Sequence, residues 1–384
     1  MLSKNGLPSQ LVKRTDMALE THDHTLNASA PNYLDVALAT RIGGSLARRK
    51  SLPSSYRPGA LEDELNELSI VAQERVAKES GLTPPGKPRA RILDRAQWVS
   101  ANVASVDRLV GPALAAADAR RTRHAPAAFE RLSRQGSAAQ LGSVLAWMSS
   151  RVLGQYDVLV GEEATFDEDV ISYVGPNIVA LEQRHGFDPS QFRLWLALHE
   201  TTHRAQFTGP TWVRPYFLGL INDVVSVLAS ESSALVAGLT RALKEMASGQ
   251  NPMREVGAAG LIASEEQLEA MRRLSALMSV LEGHGEVVMD EAARDLVPDA
   301  QHFHSVLRQR RQHPSAPSRI LNQVLGLDAK LRQYEEGETF IRALRDAKGP
   351  AFVTSLFDGP ENLPSMEELK EPSLYLARTT PIRK

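Results

Sequence analysis

The stretch His199-Glu200-Thr201-Thr202-His203 constrains this chain more than any other. In a helix, positions i and i+4 share a face, so the two imidazoles lie one above the other. Such a pair can grip one metal ion. Glu200, about a third of a turn away, can reach a water on that ion without being a ligand. With 10 His and 46 acidic residues in 384, chance supplies at most roughly 0.03 such motifs.

The flanking residues predict the helix independently, from about Ser190 to Phe207. Asp188 suits the N-cap, Pro189 the first helical position, and Gln191 completes a capping box. Gly209-Pro210 ends the helix, with glycine expected as a left-handed cap. Phe192, Trp195, Leu196, His199, His203 and Gln206 fall on one side. The histidines therefore extend an apolar stripe, where buried imidazoles need polar partners.

The chain contains no cysteine, which removes thiol catalysis, disulfides and Cys-type zinc sites. Any metal must be held by His and carboxylates. Net charge is −2, with basic clusters such as Arg48-Arg49-Lys50 balanced by acids. Neither nucleic acid nor a membrane surface is expected as a partner. Residues 1–20 lack the apolar run of a signal peptide. The most apolar later stretch, 217–228, is interrupted by Asn222 and Asp223 and is too short to span a bilayer. These features predict a soluble, cytoplasmic protein.

The pattern predicts a mobile tail over 1–31 and one α-rich domain over 32–384. Within it, 32–153 form an N-terminal helical part and 154–384 a metal-site part. Helices are expected over 32–50, 61–79, 94–115, 127–153 and 212–249, then from Ser264 to a bound at Pro298. Others follow over 303–311, 319–325 and 331–347, before a proline-punctuated tail from Gly359. The run Val170-Ile171-Ser172-Tyr173-Val174 is the best strand, ended by Gly175-Pro176. Its edge is a candidate for receiving an extended substrate. Gly154-Gln155-Tyr156-Asp157 reads as a turn. Gly81 to Lys87 mimics a phosphate loop, but Pro88 replaces the required Ser/Thr and two prolines delete amide donors.

A catalytic zinc keeps three protein ligands and an open position. The third is sought in Glu282-Gly283-His284-Gly285-Glu286, within the helix opened by Ser264. Glu282, Glu286 and Asp290 recur every four residues, continuing a line begun by Leu268, Met271 and Met278. Gly283 and Gly285 each cost ~1 kcal/mol inside a helix, so another backbone or a bound group is expected close by. One reading makes Glu282 the ligand and Glu286 the acceptor that orients a ligand histidine. The frame of Glu286 with Asp290 is equally legal by spacing. His284 lies off that face, and His302, His304 and His313 read as surface residues. Tyr173 or Tyr334 could donate to a developing oxyanion.

Several blocks resemble one family of zinc-dependent hydrolases, found mainly in actinobacteria and Chloroflexi. They are Gly154 to Asp157, Val174-Gly175-Pro176-Asn177 and Arg193 to Phe207. The likeness continues through Leu281 to Glu286, Gln333-Tyr334-Glu335-Glu336-Gly337, Leu363-Pro364 and Glu371-Pro372. Members are described as zincin-like metallopeptidases, one branch being associated with deazaflavin cofactor biosynthesis. The resemblance implies a mainly α zincin-like fold: an H-E-x-x-H helix, a second ligand-bearing helix and a small β element. It implies Zn2+ on His199 and His203, with Glu200 catalytic. The family's Glu-Gly pair matches Glu282-Gly283, favouring Glu282 as third ligand over Glu286. The expected activity is hydrolysis of a peptide. Hydrolysis of a small metabolite amide, or a catalytically silent metal-stabilised binding protein, are the alternatives.

Overall fold

The computed structural model describes residues 34–48, 53–119, 126–158, 169–228, 265–312 and 327–379. The expected tail over 1–31, the helix over 319–325, His313 and the Tyr334 side chain lie outside the described residues.

The chain is mainly helical. It opens with α1 (Val36–Arg48), α2 (Pro58–Ser80), β1 (Arg89–Leu93), α3 (Arg95–Ala119) and α4 (Ala127–Ser149). Then come β2 (Gly154–Tyr156), β3 (Val170–Val174), α5 (Gly175–His185), α6 (Pro189–Thr208) and α7 (Val213–Leu228). The last third holds α8 (Glu265–Ala293), α9 (Ala300–Gln312), α10 (Leu327–Lys348), α11 (Pro350–Thr354), α12 (Met366–Lys370) and α13 (Pro372–Thr379).

Two cores result. In the first helical layer, α1, α3 and α4 meet through small residues such as Ala39, Ala96, Val99 and Ala138. A Cβ at Gly142 would stand 2.4 Å from the Ala39 carbonyl oxygen, so the α1–α4 crossing depends on that glycine. The larger core joins α2, α6, α8, α9 and α10 to the sheet, with Phe192, Trp195, Phe303, Phe340, Leu277 and Leu281 at its centre.

The sheet has the order β1-β3-β2, with β1 parallel and β2 antiparallel to β3. This corrects two expectations. Gly154 to Tyr156 is a strand rather than a turn, pairing Gly154 with Tyr173 and Tyr156 with Ile171. Three residues are too few to show an alternating pattern, so only the pairing reveals it. Moreover, β3 is central and cannot offer an edge. Its apolar run, buried on both faces, fits that inner place. Gly175-Pro176 ends β3 as expected and opens α5, with proline in the first turn.

The outer edge of β1 is covered. Asn66 on α2 accepts from the Ala90 N–H at 2.8 Å, and Glu62 accepts from the Ile92 N–H at 2.8 Å. Side chains thus satisfy donors that a further strand would otherwise take. Among the described residues, no strand lies beyond β2.

Helix α6 is capped largely as expected: Asp188 accepts from the Gln191 N–H at 2.9 Å. The Gln191 side chain departs from the box and accepts from the Asp299 N–H instead, tying α6 to the segment before α9. Gly209 stays right-handed, with φ −67°, because the chain turns directly into α7.

Candidate metal centre

Helices α6 and α8 pack together in the larger core and carry the motif residues to one place. The rings of His199 and His203 stand 4.7 Å apart, edge to face. The His199 ring also lies parallel to Trp195 at 6.4 Å, held by the apolar stripe of its own helix. Across the interface, Glu282 Oε2 lies 3.9 Å from His203 Nε2. The structure therefore brings His199, His203 and Glu282 together.

Glycines make room for this arrangement. A Cβ at Gly283 would fall 2.2 Å from the Gly337 carbonyl carbon, so α8 and α10 cross backbone to backbone. A Cβ at Gly285 would come within 3.3 Å of the His203 ring. The two helix-interior glycines thus accommodate one backbone and one imidazole.

His203 Nδ1 lies 2.9 Å from Gln206 Oε1. The Gln206 amide nitrogen donates to the Leu281 carbonyl at 2.7 Å and meets His284 Nδ1 at 2.9 Å. His284 is buried against Phe357, and its pKa is pushed down to about 3, by burial first and then by nearby His203. It is a satisfied core histidine held neutral. Glu286 is ion-paired with His304, and at His203 Nδ1 it is Gln206 that stands. Asp290, the alternative partner, pairs with Arg342 on α10 at 2.6 Å.

Glu200 is buried and leans on β2, where its carboxylate accepts the backbone N–H of Tyr156. A Cβ at Gly154 would stand 2.4 Å from Glu200 Oε1. Burial raises the Glu200 pKa to about 7, with His203 opposing, Glu282 adding and the Tyr156 N–H opposing. Tyr173, paired with Gly154, projects from the same sheet face. It is fully buried, and burial with the Glu200 charge raises its pKa. Its hydroxyl is enclosed in the core beside Glu200.

Beneath the motif, Arg204 is fully buried and clamped by Asp169 Oδ2 at 2.6 Å, by Gln73 at 2.6 Å and by the Pro85 carbonyl at 2.5 Å. The loop that mimics a phosphate site thus serves as a wall for α6.

The donor set of two imidazoles and a carboxylate suits a borderline cation such as zinc. Zn–N and Zn–O bonds of ~2.0–2.1 Å set tetrahedral ligand–ligand edges of roughly 3.3 Å. Among the described residues no three His, Asp or Glu side chains are drawn that close. The 3.9 Å between His203 and Glu282 exceeds that edge by about half an ångström. The side chains of His203 and Glu282 stay 15% and 22% exposed, so the pair is reached from solvent. The residues fit the group.

A family model described as zincin-like metallopeptidase matches residues 34–376. The chain is also similar to a protein of Chloroflexus aurantiacus whose crystal structure is provisionally described as that of a hydrolase with a novel fold. The two share 26% identity and a TM-score of 0.65, over 90% of this chain and 98% of that one. No curated protein matches. No helix among the described residues is long and apolar enough to cross a membrane.

Proposed function

From its membership of the zincin-like metallopeptidase family, we propose that the chain is a zinc-dependent hydrolase of peptide bonds. His199, His203 and Glu282 would hold the metal. One observation carries the reading: the buried Glu200 carboxylate lies close enough to feel both His203 and Glu282 and is held by the Tyr156 N–H of β2.

When bound, the zinc supplies Lewis acidity, easing proton loss from water and polarising the scissile carbonyl. The chain's own groups do the rest. Glu200 takes the proton from the attacking water at its carboxylate and passes it to the leaving amine. The Tyr156 N–H and the absent side chain at Gly154 hold that carboxylate in place. Burial keeps its proton affinity high enough to accept, and the positive charge of a bound cation would lower it. His203 and Glu282 present their donor atoms from two different helices, so packing of α6 on α8 sets the site. The edge of β2, beyond which no strand lies among the described residues, is the place proposed for an extended peptide, whose backbone would run beside Glu200. That edge favours a peptide over a compact metabolite amide.

The test is hydrolysis of a peptide library by zinc-loaded protein, with chelation and zinc restoration. Activity should vanish on chelation and return with zinc. Glu200→Gln should retain zinc and lose at least ~10³-fold in turnover. Full turnover in Glu200→Gln would overturn the assignment. Cleavage confined to small amides would move the substrate class away from peptides.

A further inference from the structure

We propose that Gln206 fixes His203 in the tautomer that bares its Nε2 lone pair, and that Leu281 and His284 fix Gln206 in turn. The inference rests on the metal reading, because it explains how one ligand is prepared. Amide oxygen and nitrogen look alike in shape, so the orientation has to be argued from neighbours. Here the Leu281 carbonyl decides. It lies 2.7 Å from one amide atom of Gln206, and a carbonyl can only accept. The reversed amide would set two oxygens at that distance inside the core. The nitrogen therefore faces Leu281, and the oxygen faces His203 Nδ1 at 2.9 Å. An acceptor there requires the proton on Nδ1, which leaves Nε2 bare and pointed toward Glu282.

The second amide hydrogen extends the chain. Gln206 Nε2 also meets His284 Nδ1, so His284 accepts there and carries its proton on Nε2. Phe357 closes over that buried ring. Gly285 gives the amide its room: a Cβ there would press on the His203 ring at 3.3 Å and approach Gln206 Nε2 at 3.8 Å. One neutral side chain thus ties the orientation of a ligand on α6 to the backbone of the helix that carries the other ligand. In many metal sites a carboxylate does this orienting. A neutral amide between two helices adds no buried charge.

The test uses the full chain, with 15N-labelled histidine, read by long-range 1H–15N NMR in metal-free protein and by zinc titration against a competing chelator. In the wild type, His203 should carry its proton on Nδ1 and His284 on Nε2. Gln206→Leu should release His203 toward the Nε2–H form and weaken zinc binding by about 10- to 100-fold. The isosteric Gln206→Glu is the second variant; it sets an oxygen against the Leu281 carbonyl, and should it fail to fold the wild-type tautomers, which need no variant, keep the proposal falsifiable. The introduced carboxylate still accepts from His203 Nδ1, but it can no longer donate. The His284 proton should therefore move from Nε2 to Nδ1, with His203 unchanged. Gln206→Leu with unchanged tautomer and zinc affinity overturns the proposal. So does an Nε2–H form of His203 in the wild type, or a His284 indifferent to Gln206→Glu. A wild type with the expected tautomers but no zinc affinity would instead sink the metal reading and leave the Gln206 relay standing.

Discussion

Side chains take backbone donors at both edges of the small sheet, but at different electrostatic cost. Along β1, Asn66 and Glu62 reach across from α2 and occupy the donors of Ala90 and Ile92. Along β2, a glycine and a buried glutamate meet, Glu200 takes the Tyr156 N–H, and among the described residues no strand lies beyond. An exposed edge invites pairing with other chains, so closing β1 is the ordinary protective measure. The energetics of the two edges differ. The β1 contacts satisfy backbone groups and stabilise the fold. The Glu200 carboxylate at β2 is held against its preference for water, so it opposes folding while serving the proposed chemistry.

The largest expected effect tests that opposition. A carboxyl with a raised folded pKa binds more protons in the native state than in the unfolded state between about 4.5 and about 7. Stability is therefore lost as pH rises through that window, and the full cost persists above it. In metal-free protein, Glu200→Gln should be more stable than wild type by about 3 kcal/mol at pH 8. The two should melt together near pH 4. Equal denaturation midpoints at pH 8 would show that the carboxylate is not strained, and the contrast between edges would weaken.

Next, the edges should separate activity from stability. Gly154→Ala places a Cβ within 2.4–2.7 Å of the buried Glu200 carboxyl and Cγ, so that side chain must shift. Turnover per folded molecule should fall ~10²-fold through misplacement of the base. Conversely, Asn66→Ala leaves the Ala90 N–H without its acceptor and should cost on the order of 1–3 kcal/mol of stability. Activity per folded molecule should stay the same. A mutant at β1 that loses turnover without unfolding would erase the distinction.

The smallest effect lies away from both edges. His304 is paired with Glu286, and that bond first, against burial, raises its pKa. A raised folded pKa contributes stability that is present below ~6.5 and lost as pH rises through the folded value. His304→Gln should cost about 1 kcal/mol or less near pH 5.5 and nothing near pH 9, read by denaturant titration. Zinc affinity should not change.

The sequence carried the site better than the sheet. Asp188, Pro189 and the apolar stripe were enough to place α6, because capping and helical periodicity are local. The costly glycines at 283 and 285 announced close neighbours, and the structure supplies the α10 backbone and the His203 ring. In contrast, β1 and β2 were not foreseen. Five and three residues are too short for a pattern, and their pairing partners lie far along the chain. The partners of Glu286 and His203 were out of reach for a related reason. Spacing along α8 shows which residues share a face, but His304 on α9 and Gln206 on α6 decide who pairs with whom. Gln206 had one available signal: a polar residue one turn after His203 on a stripe otherwise apolar.

The most direct measurement is an equilibrium zinc titration, with a competing chelator, of wild type, Glu282→Gln and Glu286→Gln. The account predicts one zinc per wild-type chain, affinity reduced at least ~10²-fold in Glu282→Gln, and wild-type affinity in Glu286→Gln. Equal binding by wild type and Glu282→Gln, or a loss confined to Glu286→Gln, would contradict it.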